Sequence, residues 1–355
     1  MSISTLRGDG GQTSLPTAVR RGSNLPVVLI FCGVILLAFG LHVIQARSGR
    51  FEGIRLDSDY SEANYSTGSS EYPRKAVDAG GFALTIARPS HRIASHYWSI
   101  DEYLYSVVPP ENIVAVSSSA YEHSVSNVLK WAEKYRPVVA ENPEVVIKAY
   151  PDLIIDGGDN SADFSDILRN AGEPVFRINT TFSTLEQVGR TILLTGYLTG
   201  HDDEAKRVHE DFDRVIQHAA SRKPPGVPAP RVLGLGGRYS YGDQTLFDDI
   251  VRTVGGINIG ATHGLHGYDR ISSEQILRWN PEWIVAGAAK GNAAEVLHRL
   301  LKDPAIQLTT AAQTGQILVL ENNVFLPMSP YSVLMLDAMS NALYPNVSSS
   351  SKRGI

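Results

Sequence analysis

Cysteine is almost missing from this chain: the single one, Cys32, sits inside an apolar run, so the folded part contains no thiol, disulfide or thiolate metal site. An excess of positive charge is lacking too. The formal net charge is −5, and with no basic tract beyond Arg20-Arg21 there is nothing for nucleic acid to hold. Catalytic loops are also absent from the sequence. Arg238-Tyr239-Ser240-Tyr241-Gly242 has arginine where a Gly-x-Ser-x-Gly elbow needs its first glycine. Gly234-Leu235-Gly236-Gly237 is followed by Tyr239 in place of the third glycine of a dinucleotide loop, and no phosphate-binding Gly-x4-Gly-Lys-Ser/Thr segment occurs. An enzyme is therefore not expected, and no cofactor is implied.

Long hydrophobic runs are scarce, and the one present is informative. Leu25 to Ile44 is apolar over roughly the 20 residues a bilayer-spanning helix needs. Arg20 and Arg21 precede it, which places its N-terminus in the cytoplasm and the rest of the chain outside. Cys32 follows bulky Phe31 and has most of the run after it, so a lipoprotein signal does not fit. A cleaved signal ending at Ala46 would have an apolar core longer than such signals usually carry. The expectation is an uncleaved inner-membrane anchor with an exported, periplasmic body; the alternative is a cleaved periplasmic protein.

At 355 residues the chain suits two domains plus extras. Residues 1–24 read as a disordered cytoplasmic tail, 25–46 as the anchor or signal, and 47–90 as a flexible tether with one strand near Phe82–Ala87. An N-terminal lobe is expected over 91–182, linking helices over 183–230, a C-terminal lobe over 231–345, and a frayed tail over 346–355. In both lobes apolar strands alternate with amphipathic helices, the pattern of a parallel sheet covered by helices. The linker opens on Ser183-Thr-Leu-Glu186, a capping-box pattern, and continues into a helix near Asp203–Arg222, about 30 Å long at 1.5 Å per residue. That helix would bridge the lobes as a stiff strut.

Two stretches 130 positions apart say nearly the same thing. Glu144-Val-Val-Ile-Lys-Ala-Tyr-Pro151-Asp-Leu-Ile-Ile is echoed by Glu274-Gln-Ile-Leu-Arg-Trp-Asn-Pro281-Glu-Trp-Ile-Val. In each, a short helix with an exposed glutamate at its start runs into a proline, which ends the helix and launches a buried strand. The chain therefore presents one carboxylate per lobe at matched places.

These runs, together with Gly172-Glu-Pro-Val-Phe176, Leu194-Thr-Gly-Tyr-Leu-Thr-Gly200, Val254-Gly-Gly-Ile-Asn258 and Ser272–Pro281, resemble the substrate-binding proteins of ABC importers for iron-siderophores, haem and cobalamin. The likeness covers about residues 91–345. It implies two α/β lobes joined by one long rigid helix, a metal-chelate ligand held between them, and docking of Glu144 and Glu274 on arginines of paired permease subunits. Charge-assisted Glu–Arg contacts suit that role, being strong and orientation-setting. A membrane-anchored ligand sensor with the same binding fold is the other reading, with an exported enzyme behind it.

Ligands of parallel sheets bind beyond the carboxyl ends of the strands. Among the loops expected there, Tyr97, Trp98, Tyr121, Arg238, Tyr239, His263, Tyr268 and Arg270 are the candidate ligand-binding residues. Tyrosine and tryptophan supply flat contact area, and arginine holds carboxylates or chelate oxygens. Tyr121-Glu122-His123 and His263 with His266 have metal-ligand chemistry, yet sequence neighbours seldom all point at one ion, and no protein metal site is expected.

Overall fold

The computed structural model describes residues 71–158 and 162–345. The expected tails and membrane anchor lie outside the described residues, and none of the described helices is long and apolar enough to cross a membrane. The described part opens with a two-stranded antiparallel ribbon, β1 (Arg74–Val77) and β2 (Ala83–Ile86). Sequence reading made 71–90 part of a tether. The structure ties it down, because its charges find partners far along the chain. Arg74 is only 3% exposed; it donates to the Tyr197 carbonyl and pairs with Asp202 at 2.7 Å, and Asp78 is buried against Arg169 and the Arg177 amide.

The first lobe follows as β3 (Ile93–Ser95), α1 (Trp98–Val107), β4 (Ile113–Val116), α2 (Leu129–Tyr135), β5 (Val138–Val139), α3 (Pro143–Lys148), β6 (Leu153–Gly157), α4 (Ala162–Asn170) and β7 (Val175–Ile178). Its strands pair in parallel in the order β5-β4-β3-β6-β7. All five residues of β6 are buried, which explains its apolar Leu153-Ile154-Ile155 run: helices cover both faces of a parallel sheet, and the one polar member, Asp156, is held by the Ser165 hydroxyl.

From β7 the chain passes through α5 (Leu185–Thr199) and α6 (Asp202–Ser221) into the second lobe. The capping box at the start of α5 is Thr184 with Gln187, one residue later than expected. Both pairs match the pattern, but Ser183 donates instead to the Gln244 carbonyl, and Glu186 pairs with Arg190 at 2.8 Å. Gly200 ends α5 with φ +82°, where a side chain would strike Pro89 and Tyr72.

The second lobe comprises β8 (Arg231–Leu235), β9 (Tyr239–Tyr241), α7 (Leu246–Thr253), β10 (Ile257–Asn258), α8 (Ile259–Thr262), β11 (Tyr268–Arg270), α9 (Ser273–Trp279), β12 (Trp283–Ala288), α10 (Ala293–Lys302), α11 (Pro304–Gln307), α12 (Thr310–Gln313), β13 (Ile317–Glu321) and α13 (Ser332–Leu343). Four strands form a parallel sheet, β10-β8-β12-β13, while β9 and β11 pair separately as an antiparallel ribbon beyond the end of β8.

The sequence echo has a structural counterpart. Asn142 caps α3 by accepting from the Val145 amide, and Ser272 caps α9 by accepting from the Gln275 amide. Each helix gives way to a left-handed residue, Tyr150 at φ +49° or Asn280 at φ +45°, then to proline and a buried strand.

Candidate functional site

The carboxyl ends of β3, β4 and β6 place the first set of candidates. Tyr97 and Trp98 follow β3 with their rings 6.2 Å apart, and both are half-buried. The Tyr97 ring lies against Gly157 and Gly158; a Cβ on Gly158 would come within 2.5 Å of it. These glycines are therefore what lets the ring lie flat on the end of β6. His96 stacks on Phe164 at 3.7 Å, with Nδ1 3.5 Å from buried Asp156. After β4, the Tyr121 hydroxyl donates to the Pro137 carbonyl and Glu122 accepts from Ser124, so the Tyr121-Glu122-His123 triplet does not converge on a point. Among the described residues no group of three His, Cys, Asp or Glu side chains could hold a metal ion.

In the second lobe the β9–β11 ribbon brings Tyr239, Tyr268 and Arg270 together, with exposed Arg238 in the turn that leads from β8 into β9. Arg270 sits opposite Tyr239 in register, donates to its hydroxyl at 3.1 Å and lies over its ring. Tyr268 is 70% exposed. His263 does not join them: it ends α8, its Nδ1 lies 2.9 Å from the Ile259 carbonyl, and its ring stacks on Trp279 of α9. Those contacts give it a packing role that loop position alone could not reveal. His266 is likewise occupied, 2.6 Å from Asp243.

Beside the ribbon lies a cavity of about 440 Å³ between the ends of β8 and β12. Its walls include Gly236, Tyr241, Phe325, Asn292, Asn322 and Arg299. The Tyr241 and Phe325 rings meet edge to face at 5.8 Å over Gly236 and Gly287, positions where a Cβ would clash with one ring or the other. Sequence reading missed Asn292, Asn322 and Arg299. Extending the strand-end rule to the loop after β12 would have found Asn292, since that loop begins at a glycine-containing strand end.

Two adjacent carboxylates of α1 were also missed. Asp101 is fully buried with its oxygens on Ser95 and Ser117, and burial pushes its carboxyl up to about 7. Glu102 accepts from Asn127 at 2.8 Å on its own lobe and from Ser329, beyond β13 of the other; burial pushes it, too, up to about 7. Asn127 also donates to the Asn323 carbonyl at 2.8 Å, so this polar seam joins the two lobes.

Glu144 and Glu274 are exposed in the first turns of α3 and α9. Each helix starts just past a strand, α3 after β5 and α9 after β11, and only its far end leads into the amino end of the next strand, so the two glutamates stand on the side of the sheets that carries the aromatic loops, Glu274 four residues beyond Arg270. Hydrogen bonding from Ser272 and its own amide holds Glu274 below the usual carboxylate range.

A model of the family described as periplasmic binding protein matches residues 93–324. The chain belongs to this family. Its members are binding proteins, not enzymes, and the family points to the periplasm. Among curated relatives, the Fe(3+) dicitrate-binding periplasmic protein FecB of Escherichia coli (strain K12) is 24% identical over 186 residues, which span 52% of this chain and 61% of that protein. The match thus covers less than two thirds of the relative. Among solved structures, the periplasmic heme-binding protein RhuT from Roseiflexus sp. RS-1 in apo form superposes with a TM-score of 0.61 at 22% identity, covering 72% of this chain and 98% of that one. A periplasmic binding protein from Veillonella parvula gives 0.65 at 14% identity, covering 77% and 97%. At such identities the likeness speaks for the fold.

Proposed function

We propose that this protein is the extracytoplasmic substrate-binding component of an ABC importer, capturing an iron chelate, haem or a corrinoid between its lobes and passing it to a permease. The observation that carries the reading is the arrangement of aromatic and arginine side chains at the carboxyl ends of both sheets: Tyr97 and Trp98 on one lobe, Arg238, Tyr239, Tyr268 and Arg270 on the other. Ferric dicitrate and haem, named for the relatives above, combine a broad face with carboxylates and suit such a lining. Tyr121 and His263 are the remaining ligand-side candidates, Tyr121 through its ring edge. Helix α6, Asp202–Ser221, acts as a stiff strut between the lobes, so closure on ligand is small.

Glu144 and Glu274 dock on paired permease subunits, one per lobe, and residues 25–44 hold the body at the inner membrane. The test is titration of the purified chain with ferric citrate, haem and cyanocobalamin, all coloured, followed by absorption. Saturable binding of one of them is expected; indifference to all three removes the metal-chelate reading. For docking, Glu144→Ala with Glu274→Ala is expected to stop uptake in cells while leaving ligand affinity unchanged.

A further inference from the structure

Glu102 stands one turn along α1 from Trp98, and both line the same narrow gap with Ser119, Ala120 and Ser126, from the loop that carries Tyr121. Asn127, at the far end of that loop, donates to one Glu102 oxygen from its side chain at 2.8 Å and from its amide at 3.3 Å. The other oxygen meets the hydroxyl of Ser329, 227 positions away on the second lobe. Asn127 is also paired with Asn323 of the second lobe, donating to its carbonyl at 2.8 Å and accepting from its side-chain nitrogen at 3.3 Å. Asn323 follows Asn322, and Ser329 stands four residues beyond Phe325; Asn322 and Phe325 are walls of the second-lobe cavity. One side chain of the first lobe thus ties together the rims of both lobes.

That tie depends on the charge of the carboxyl. Glu102 is 2% exposed, and no cation pairs with it among the described residues. The titratable groups that face it are Asp101 on α1 and Tyr331 on the second lobe, neither of them a cation. On the neighbouring loop Glu122 accepts from Ser124 and His123 is exposed, while Lys130 of α2 lies over the Trp131 ring. An unpaired buried carboxylate is costly in its charged form, so burial keeps the carboxyl neutral well above its ordinary range, up to about 7. The neutral acid suits its partners: one oxygen accepts from Asn127, and the hydroxyl can donate to the Ser329 oxygen, which already accepts from the Tyr331 amide at 3.2 Å. Water entering between the lobes would let the carboxyl ionise in its ordinary range, so opening the seam releases a proton. The seam is therefore at full strength in acid and loses strength as pH rises through about 7.

We propose that Glu102 is a positioning residue for the ligand cleft: as the neutral acid it latches the Ser329 segment to α1, and its ionisation loosens both rims and weakens ligand binding. This rests on the ligand reading above and adds pH control to it: ligand is held in mild acid and let go as the medium turns alkaline.

The test uses the full chain and its Glu102→Gln variant, which keeps the neutral shape at every pH. Ferric citrate, haem and cyanocobalamin are the probes, and the one that binds is titrated by absorption from pH 5.5 to 8.5. Taking the ratio of parent to variant Kd at each pH cancels the ionisation of the probe. Hydrogen exchange in peptides spanning Asn127 and Tyr331, corrected for its intrinsic pH dependence, reads the seam without ligand. The Kd ratio is expected to rise about threefold or more across the range, with seam protection falling in the parent alone. A constant ratio overturns the proposal, and so do exchange profiles that run parallel in the two proteins. If no probe binds, the chelate reading falls, while pH-dependent exchange confined to the parent still upholds the latch. Ser329→Ala, which removes the partner on the second lobe and leaves the carboxyl in place, is the second variant. It should bind the probe several-fold more weakly at pH 6 and lose the pH dependence; parental affinity at pH 6 overturns the latch.

Discussion

Replacing Glu102 by glutamine isolates the seam between the lobes. In the folded protein this carboxyl is raised from about 4.5 to about 7 by burial, with Asn127 and Ser329 only partly compensating. Its folded pKa exceeds its unfolded one, so its contribution to stability is fully present below about pH 4.5 and is lost as pH rises through about 7. At 1.36 kcal/mol per unit, a shift of this size corresponds to about 3 kcal/mol, of which about 2 kcal/mol falls between pH 5 and pH 8. The neighbours facing Glu102 are Asp101 on its own helix and Tyr331 before α13, and no ion pair to Glu102 occurs among the described residues. Glutamine reproduces the protonated shape, accepting from Asn127 through its oxygen and donating to Ser329 through its nitrogen. Unfolding free energies from urea titrations at pH 5, 6, 7 and 8 should therefore lie closest for the two proteins at pH 5, diverge steadily up to about pH 7 and level off above it. The variant should be more stable by about 2 kcal/mol at pH 8. Asp101 titrates in the same direction in both proteins, and the small part of its rise that comes from the Glu102 charge adds to the difference. Parallel profiles would show that Glu102 reaches water and that the seam is not a titrating element.

Three further outcomes follow from single side chains. Arg270→Ala should weaken ligand binding by about 2 kcal/mol or more if the guanidinium meets a buried carboxylate, measured by absorption titration, with unfolding unchanged. Arg74→Ala leaves Asp202 and the Tyr197 carbonyl without their buried partner, and should cost about 3 kcal/mol in urea unfolding; a change within 0.5 kcal/mol, ordinary for a surface site, would contradict the ribbon's clamp. Gly158→Ala adds a Cβ within 2.5 Å of the Tyr97 ring at φ +85°, so about 1–3 kcal/mol of stability and part of the ligand affinity should be lost together.

The longer strands of both parallel sheets were legible because short apolar runs bounded by turn residues have few other readings, Ile113–Val116 among them, whereas the two-residue β5 and β10 were not, being too short to carry a pattern. The β9–β11 ribbon was not, since three-residue strands with polar members carry no period. Helix α2 begins only at Leu129, because the Ser126 hydroxyl donates to the Ala120 carbonyl and accepts from the Val128 amide, competing with the helical turn. At the site, aromatic and arginine loops could be found by counting from strand ends. Glu102 could not: its partner Ser329 is 227 positions away, and nothing local marks a helix-interior glutamate as buried.

The clamp made by Arg74 also has a temporal side. Its partners, Tyr197 and Asp202, lie 123 and 128 positions further on, so when the chain emerges N-terminus first the ribbon has nothing to close on until α5 and the start of α6 exist. At synthesis rates of about 5–20 residues per second that is a wait of roughly 6–25 s. The first strand described is thus fastened only after the whole first lobe has been made, and proteolysis between residues 71 and 90 becomes a clock for the arrival of α5 and α6. A chain begun at residue 93, where the family match starts, would fold without that closing step and leave Asp202 unpaired.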